Sequence, residues 1–208
     1  LLKESGDGSD VLEDYSDVIL SDVDRINRVI ERLLKFIQPA QSTWDFASIG
    51  EIMEDAVLMA KHEMRKKNIT IEKEIAQDLP DVLCQEENLM QSVLNILVNA
   101  IQAIEDNGVI RIEVEHIPDT DGEGEIRVRI SDNGPGISPE NITRIFNPSF
   151  TTKEDGAGFG LMITRQTVET HGGRIEVESE AGEGTSFITW LPVRKEAKDA
   201  SDERVRAV

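Results

Sequence analysis

The stretch Asp132-Asn133-Gly134-Pro135-Gly136-Ile137 decides how the chain is read, because it ends an alternating run of residues. In that run Ile126, Val128 and Ile130 fall on one side, with arginine and serine on the other. A period of two predicts a half-buried strand. Asp132 continues the apolar side of this strand. A carboxylate facing the core needs hydrogen-bond donors, because an unpaired charge in a low-dielectric interior costs several kcal/mol.

The two glycines of this stretch favour a binding role. Gly134 and Gly136 permit positive φ angles and allow a flat ligand to approach the backbone closely. We therefore interpret the stretch as one wall of a nucleotide pocket. Asp-Asn-Gly is also common turn chemistry, and in isolation the stretch is more simply a hairpin turn. The remainder of the chain decides between these interpretations.

Composition limits the function classes. The 208 residues, 38% of them apolar, suffice for one core plus an appendage, which favours one or two domains. The net charge of −19 disfavours nucleic acid as a partner, and a bound polyphosphate would need local cations or a metal. Cys84 is the only cysteine, which predicts no internal disulfide and a reducing compartment.

The chain shows no signal peptide and no apolar run of bilayer length. We therefore expect a cytoplasmic location, with membrane attachment only if other parts of a longer protein supply it. The chain begins with Leu1 rather than Met, so we expect a fragment.

The first 41 residues predict a long helix that pairs with another helix. Eight positions follow a heptad spacing, and seven of them carry branched aliphatic side chains. They are Leu12, Ser16, Ile19, Val23, Ile26, Ile30, Leu33 and Ile37. Pro39 ends the helix. Packing within its own domain is the alternative. Since we find no second helix of this kind, we expect a homodimer through this segment.

The segment 86–106 predicts a second helix with two distinct sides. Its apolar stripe holds Met90, Val93, Leu94, Leu97, Ile101 and Ile104, and its polar stripe holds Asn88, Ser92, Asn95, Asn99, Gln102 and Asp106. Ordinary solvation could explain a polar stripe, but asparagine is a mediocre helix former. Between Asn95 and Gln102 the other residues are apolar, which suggests burial on all sides. Asn95 and Asn99 lie four residues apart, so both can point into one cavity.

Other patterns predict the remaining elements in outline. We expect helices at 48–67, 138–147 and 156–170, and strands at 69–75, 110–115, 126–132, 175–177 and 185–191. The glycine-rich segment 156–161 lacks the Lys-Ser/Thr of a P-loop and does not fit a dinucleotide fingerprint. Its backbone amides lead into a helix N-terminus and could bind an anion, with Lys153 as a nearby cation. Plain surface glycines are the alternative.

Together these residues resemble the ATP-binding domain of bacterial sensor histidine kinases, in the GHKL ATPase superfamily. Among these kinases they resemble the nitrogen-regulation class. The matching motifs occur in family order across 42–193. They are the N box Asn95-Ile-Leu-Val-Asn99-Ala100, the first G box Asp132-Asn-Gly-Pro-Gly136, the F box Phe146-Asn-Pro-Ser-Phe150-Thr-Thr-Lys153, the second G box Gly156-Ala-Gly-Phe-Gly160-Leu161 and the glycine motif Gly182-Glu-Gly-Thr185.

The resemblance implies an α+β fold. We expect a two-layer α/β sandwich, in which helices cover one face of a mixed, mostly antiparallel sheet, preceded by a long dimerisation helix. The implied domains are a partial dimerisation and phosphoacceptor helix at 1–41, the catalytic domain at 42–194 and a charged tail at 195–208.

The resemblance also implies a function and a set of site residues. The chain would be the ATP-binding part of a two-component sensor kinase, which transfers phosphate to a His and then to an Asp of a response-regulator receiver domain. Asp132 would accept from the adenine amino group, Asn99 would bind Mg²⁺, and Lys153 would lie in a lid loop. The implied ATP-binding residues are Asn95, Asn99, Gln102, Asp132, Gly134, Gly136, Ile137, Thr152, Lys153, Gly158, Gly160, Leu161 and Thr185, of which Asn95 and Lys153 would be catalytic.

Two departures from relatives refine this expectation. In hydrolytic relatives, such as mismatch-repair and gyrase-type ATPases, a Glu that activates water holds the place of Asn95. An amide cannot act as a general base, so we expect little ATP hydrolysis. The segment that would carry the phosphoacceptor His is missing, and His62, His116 and His171 are poor substitutes. We therefore expect Mg-ATP binding without autophosphorylation.

Two other functions remain open from the sequence. An anti-sigma-type serine kinase would use the same scaffold, although the preceding coiled-coil helix argues against it. A dimerisation module with a vestigial nucleotide site is the non-enzymatic alternative.

Overall fold

The computed structural model describes residues 43–120, 124–153 and 158–194. The elements in chain order are β1 (Asp45–Ala47), α1 (Ile49–Lys66), β2 (Thr70–Ile75), β3 (Val82–Cys84), α2 (Glu86–Ala103), β4 (Val109–Ile117), β5 (Glu125–Asp132), α3 (Pro139–Ile142), α4 (Gly160–Thr170), β6 (Arg174–Glu180) and β7 (Gly184–Pro192). The expected N-terminal helix, residues 154–157 of the glycine-rich segment and the expected tail lie outside the described residues.

Five strands form the main sheet in the order β2-β4-β5-β7-β6. β2 runs parallel to β4, and the other three pairs are antiparallel. The expected mixed, mostly antiparallel sheet is thus confirmed. The central strand β5 places Asp132 beside Ile110 of β4 on one side and Thr185 of β7 on the other.

Alternation along the strands separates the core from the solvent. On the inner face Ile110, Ile112, Ile126 and Ile130 are at most 2% exposed, and buried side chains of α1, α2 and α4 lie on the helical side of the core. The opposite face carries charged side chains in ion pairs, such as Arg129 with Glu178. These two layers match the expected α/β sandwich.

Helix α1 begins as its sequence predicts. The hydroxyl of Ser48 accepts from the Glu51 N–H at 3.3 Å, which satisfies one of the free amides of the first turn. Helix α2 ends at Ala103, three residues earlier than predicted, because the backbone of Ile104 is extended. The ammonium of Lys67 then donates to the carbonyl oxygens of Ile101 and Ile104 at 2.9 and 2.7 Å.

Several local predictions were wrong. The short helix after Ser138 ends at Ile142 rather than near 147. The antiparallel pair of β1 and β3 was missed, because strands of three residues are too short to show an alternation. The buried side of α2 includes Leu89, Ile96 and the expected polar-stripe residue Ser92, which donates to the Asn88 carbonyl. Helix α2 therefore packs with a broader face than the apolar stripe indicates.

No helix within the described ranges is both long and apolar enough to cross a membrane.

Candidate functional site

Three polar side chains lie side by side where β5 and β6 end and β7 begins. Asp132 of β5 pairs in register with Thr185 of β7, and Thr185 pairs with Ser179 of β6. Each continues the inner, apolar side of its strand, next to Ile130, Phe187 and Val177. The row therefore forms a polar edge of the core, on the face that the helices cover.

Asp132 is half-buried and is held by backbone donors. Its Oδ1 accepts from the Gly134 N–H at 2.9 Å. Burial raises the pKa of the Asp132 carboxyl above its ordinary value, and the N–H groups of Gly134 and Thr185 oppose this shift. The fixed carboxylate can accept a further hydrogen bond from a ligand.

The two glycine turns beyond these strands are joined to each other. Gly136 has φ +71°, and a Cβ atom there would lie 2.1 Å from the Glu180 carbonyl oxygen, so only glycine fits. The Gly182 N–H donates to the Pro135 carbonyl at 2.8 Å. The turns thus form one fixed rim.

Ser179 holds this rim together, and sequence reasoning missed it. Its hydroxyl accepts from the Ile137 N–H at 2.8 Å, donates to the Gly184 carbonyl at 2.7 Å and lies 3.1 Å from the Thr185 hydroxyl. The signal was present in the sequence, because Ser179 follows Ile175 and Val177 on the inner register of β6, just as Asp132 follows Ile130.

The polar side of α2 supplies a second group of site residues. Lys153 Nζ lies 3.0 Å from Asn99 Oδ1 and 2.5 Å from Gln102 Oε1, so two amide oxygens converge on one cation. Burial, and to a smaller extent the charge of Lys67, lower the pKa of the Lys153 ammonium. Amide oxygens are ligands that Mg²⁺ accepts, so the donor set fits this metal.

Asn95 links α2 to the start of α4. Its Nδ2 lies 3.3 Å from the Gly160 carbonyl oxygen and 3.5 Å from Thr164 Oγ1. Thr164 is fully buried, which fixes this end of the contact. Burial on all sides of α2 was a wrong expectation, because Val98 is 40% exposed and Gln102 is also exposed. The half-buried amides of Asn95 and Asn99 instead face Gly160 and Lys153, respectively.

The sheet end and α2 belong to one continuous region. A Cβ atom at Gly134 would lie 3.3 Å from the Cβ of Ala103, the residue after Gln102. Since the Gly134 N–H also donates to Asp132, the turn that holds the carboxylate packs on the end of α2 that carries Gln102.

The remaining expected residues are placed as follows. Gly158 has φ +71°, and a Cβ atom there would lie 2.4 Å from the carbonyl carbon of Ser149, so the glycine packs on the loop before it. Leu161 packs against the hydrophobic core. Thr152 is exposed and is related to the site only through its neighbour Lys153.

A cavity of about 530 Å³ also lies at this end of the sheet, lined by Asp132, Ser179 and Thr185 together with charged residues of the open face. Its arginines are already in ion pairs, Arg111 with Glu72 and Arg129 with Glu178. The asparagines of α2 do not line it. We therefore assign the candidate site to the face that the helices cover.

Comparison with known proteins gives concordant results. Residues 84–195 match the family described as histidine kinase-, DNA gyrase B-, and HSP90-like ATPase. The chain is 32% identical over 182 residues to the sensor histidine kinase ZraS of Escherichia coli. The matched region covers 88% of this chain and 38% of that protein. The chain thus spans well under half the length of this curated relative.

Solved structures of histidine kinases are also similar. The catalytic domain of histidine kinase ThkA shares 31% identity and a TM-score of 0.65, covering 73% of this chain and 96% of that chain. Histidine kinase ThkA in complex with response regulator protein TrrA shares 26% identity and a TM-score of 0.68, covering 92% of this chain and 54% of that chain.

Proposed function

The chain belongs to the family of histidine kinase-, DNA gyrase B- and HSP90-like ATPases, and on this premise we propose that it is the ATP-binding catalytic part of a two-component sensor histidine kinase. The observation that carries the proposal is that the turn holding the Asp132 carboxylate packs, through Gly134, on Ala103 at the end of the helix that carries Asn99 and Gln102.

The sheet end is the proposed base site. Asp132 would accept a hydrogen bond from the amino group of adenine. Guanine presents a carbonyl oxygen at the same place, and a carboxylate repels it. Because the Gly134 and Thr185 amides hold the carboxylate in place, it is oriented before the base arrives. The rim formed by Gly136, Ile137 and Thr185 would enclose the base.

The side of α2 that faces Gly160 and Lys153 is the proposed phosphate site. Asn99 would give its amide oxygen to Mg²⁺, which when bound neutralises charge on the phosphate oxygens. Lys153 would add a second positive charge, and the Gly158 and Gly160 backbone would face the phosphates from the start of α4. Gln102, Thr152 and Leu161 complete the proposed lining.

Asn95 bears on whether the γ-phosphoryl group would be transferred to water or to a protein. Its amide binds the Gly160 carbonyl and has no basic group with which to activate water. The γ-phosphoryl group would therefore be kept for a protein acceptor, a His and then the Asp of a response regulator. ThkA, a similar kinase, has been solved with its response regulator, which supports this class of partner. We further propose a homodimer through residues 1–41 and a cytoplasmic location.

Incubation with γ-labelled ATP and Mg²⁺ tests this function. We expect slow phosphate release, no label on this chain, and acid-labile label on a His-bearing dimerisation domain supplied as a separate polypeptide. Asn99→Ala, which removes the proposed metal ligand, is the matched inactive variant. Rapid phosphate release that Asn99→Ala abolishes would instead identify a hydrolase. Label on a serine of the added domain would identify a serine kinase.

A further inference from the structure

Lys153 occupies the position where the amide oxygens of Asn99 and Gln102 converge. The ammonium lies 3.0 Å from the first oxygen and 2.5 Å from the second. Both are neutral acceptors, and an ammonium group can donate three hydrogen bonds. The two residues are three apart on α2, so they face the same side of the helix. Together they form a two-oxygen cradle that already holds a cation.

The place of the cradle on the helix favours a positive charge. Gln102 is the second-to-last residue of α2, and the C-terminal end of a helix carries partial negative charge. Lys67 already binds the main-chain carbonyls of this end, those of Ile101 and Ile104. The described contacts of the Lys153 ammonium with α2 are to side chains. Lys153 can therefore leave its position while Lys67 continues to cap the carbonyl oxygens at the end of α2.

We propose that Lys153 is a tethered counter-cation that competes with a divalent metal ion for Asn99 and Gln102, and that Gln102 is a second oxygen ligand of that metal. The inference rests on the proposed nucleotide site and names one more residue in it. An ammonium and a metal ion cannot share one position, because each needs the same amide oxygens. Arrival of the metal frees the Lys153 ammonium, which can then pair with a phosphate of the bound nucleotide.

The competition predicts a specific change when the tethered cation is removed. Lys153→Met keeps an unbranched chain and removes the ammonium, so the metal no longer has to displace it. Mg²⁺ is expected to strengthen ADP binding, and the Mg²⁺ concentration that gives half of this effect is the midpoint. In Lys153→Met the midpoint should fall by about fivefold or more, since coupling between linked ligands usually changes an affinity by at least this factor. Calorimetric titration of ADP at graded Mg²⁺ concentrations measures this midpoint.

A matched control separates competition from general electrostatics. Lys61→Met removes the same charge from the exposed side of α1 and should leave the Mg²⁺ midpoint unchanged. Equal midpoints for the wild type and Lys153→Met would overturn the proposal, as would equal shifts in the two variants. In a third variant, Gln102→Leu, the midpoint should rise, and an unchanged midpoint would remove Gln102 from the metal site.

A second measurement needs no nucleotide. Mn²⁺ broadens NMR signals of groups close to it, and the side-chain amide signals of Asn99 and Gln102 should broaden at lower Mn²⁺ in Lys153→Met than in the wild type or Lys61→Met. If ADP binds none of the proteins, the proposed function fails, and this titration alone decides the inference. Failure of the two amide signals to broaden before other amides would then overturn it.

Discussion

At the scale of single residues, the site is marked by polar side chains that continue an apolar register. Asp132 follows three inward isoleucine or valine residues, and this pattern identified it from the sequence. Ser179 obeys the same rule on β6 but was missed, because a serine in a strand is common and a buried carboxylate is not. Its importance depends on which strand lies beside it, and strand order is a property of the folded sheet.

Two glycines of the site should differ in how strongly a substitution by alanine changes the stability. Gly136→Ala should lower the free energy of unfolding by about 2 kcal/mol or more, because φ is +71° and the added Cβ would overlap the Glu180 carbonyl. Gly160→Ala should change it by at most about 1 kcal/mol, because the added Cβ meets Asn95 atoms at 3.7 Å or more. Denaturant unfolding of both variants checks this. Equal losses would show that the rim is not rigid at Gly136.

At the scale of elements, the existence of helix α2 and most of its polar stripe were predicted, but its end and its buried face were not. The periodicity of the sequence supplies the first two. The end depends on Lys67, the residue that follows α1, which donates to the last carbonyls of α2. The buried face depends on α1 and α4, which both pack on α2 and have side chains close to Ser92. Distant residues decide both features.

The same limit applies to His171, expected only as a helix-terminal residue. Its ring is 2% exposed and stacks 4.8 Å from Trp44. Its Nε2 accepts from the Gln85 N–H at 2.9 Å, so the proton lies on Nδ1, which donates to the Thr167 carbonyl at 2.7 Å. The neutral imidazole therefore joins the beginning of α2 to the end of α4, the two helices of the proposed phosphate site.

The contact that His171 makes between α2 and α4 predicts a pH dependence of the stability. Burial lowers the pKa of His171 from its ordinary 6.5, so the unfolded chain takes up the proton first as the pH falls. The contribution of His171 is fully present above pH 6.5 and is lost as the pH falls from there through the lowered pKa. Denaturant unfolding of the wild type and of His171→Gln across this range measures it.

In His171→Gln this component of the pH dependence should disappear. The exposed histidine of α1 provides the control, since His62→Gln should keep it. Equal pH profiles for the wild type and His171→Gln would show that the imidazole does not stabilise the contact between α2 and α4.

At the scale of the whole molecule, the alternation of apolar and polar residues predicted the two layers of the fold. It did not predict which side chains pair with each other. The charged open face consists of ion pairs such as Arg111 with Glu72 at 2.7 Å, and both side chains remain about half exposed. Such pairs contribute little to stability, and their partners are fixed only by strand register. The continuity of the site likewise depends on a tertiary contact, that of Gly134 with Ala103. The motifs predicted its members, but not that contact.

The central claim is that one pocket binds an adenine base at the sheet end and phosphates along α2. Calorimetry with Mg²⁺ compares ATP with purine riboside triphosphate, which lacks only the 6-amino group. The wild type should bind ATP roughly tenfold more tightly, since a hydrogen bond to a charged group is lost. Asp132→Asn should lose most of this preference, whereas Asp55→Asn on the exposed side of α1 should keep it. Equal binding of the two nucleotides by the wild type, or a preference that survives in Asp132→Asn, would contradict the claim.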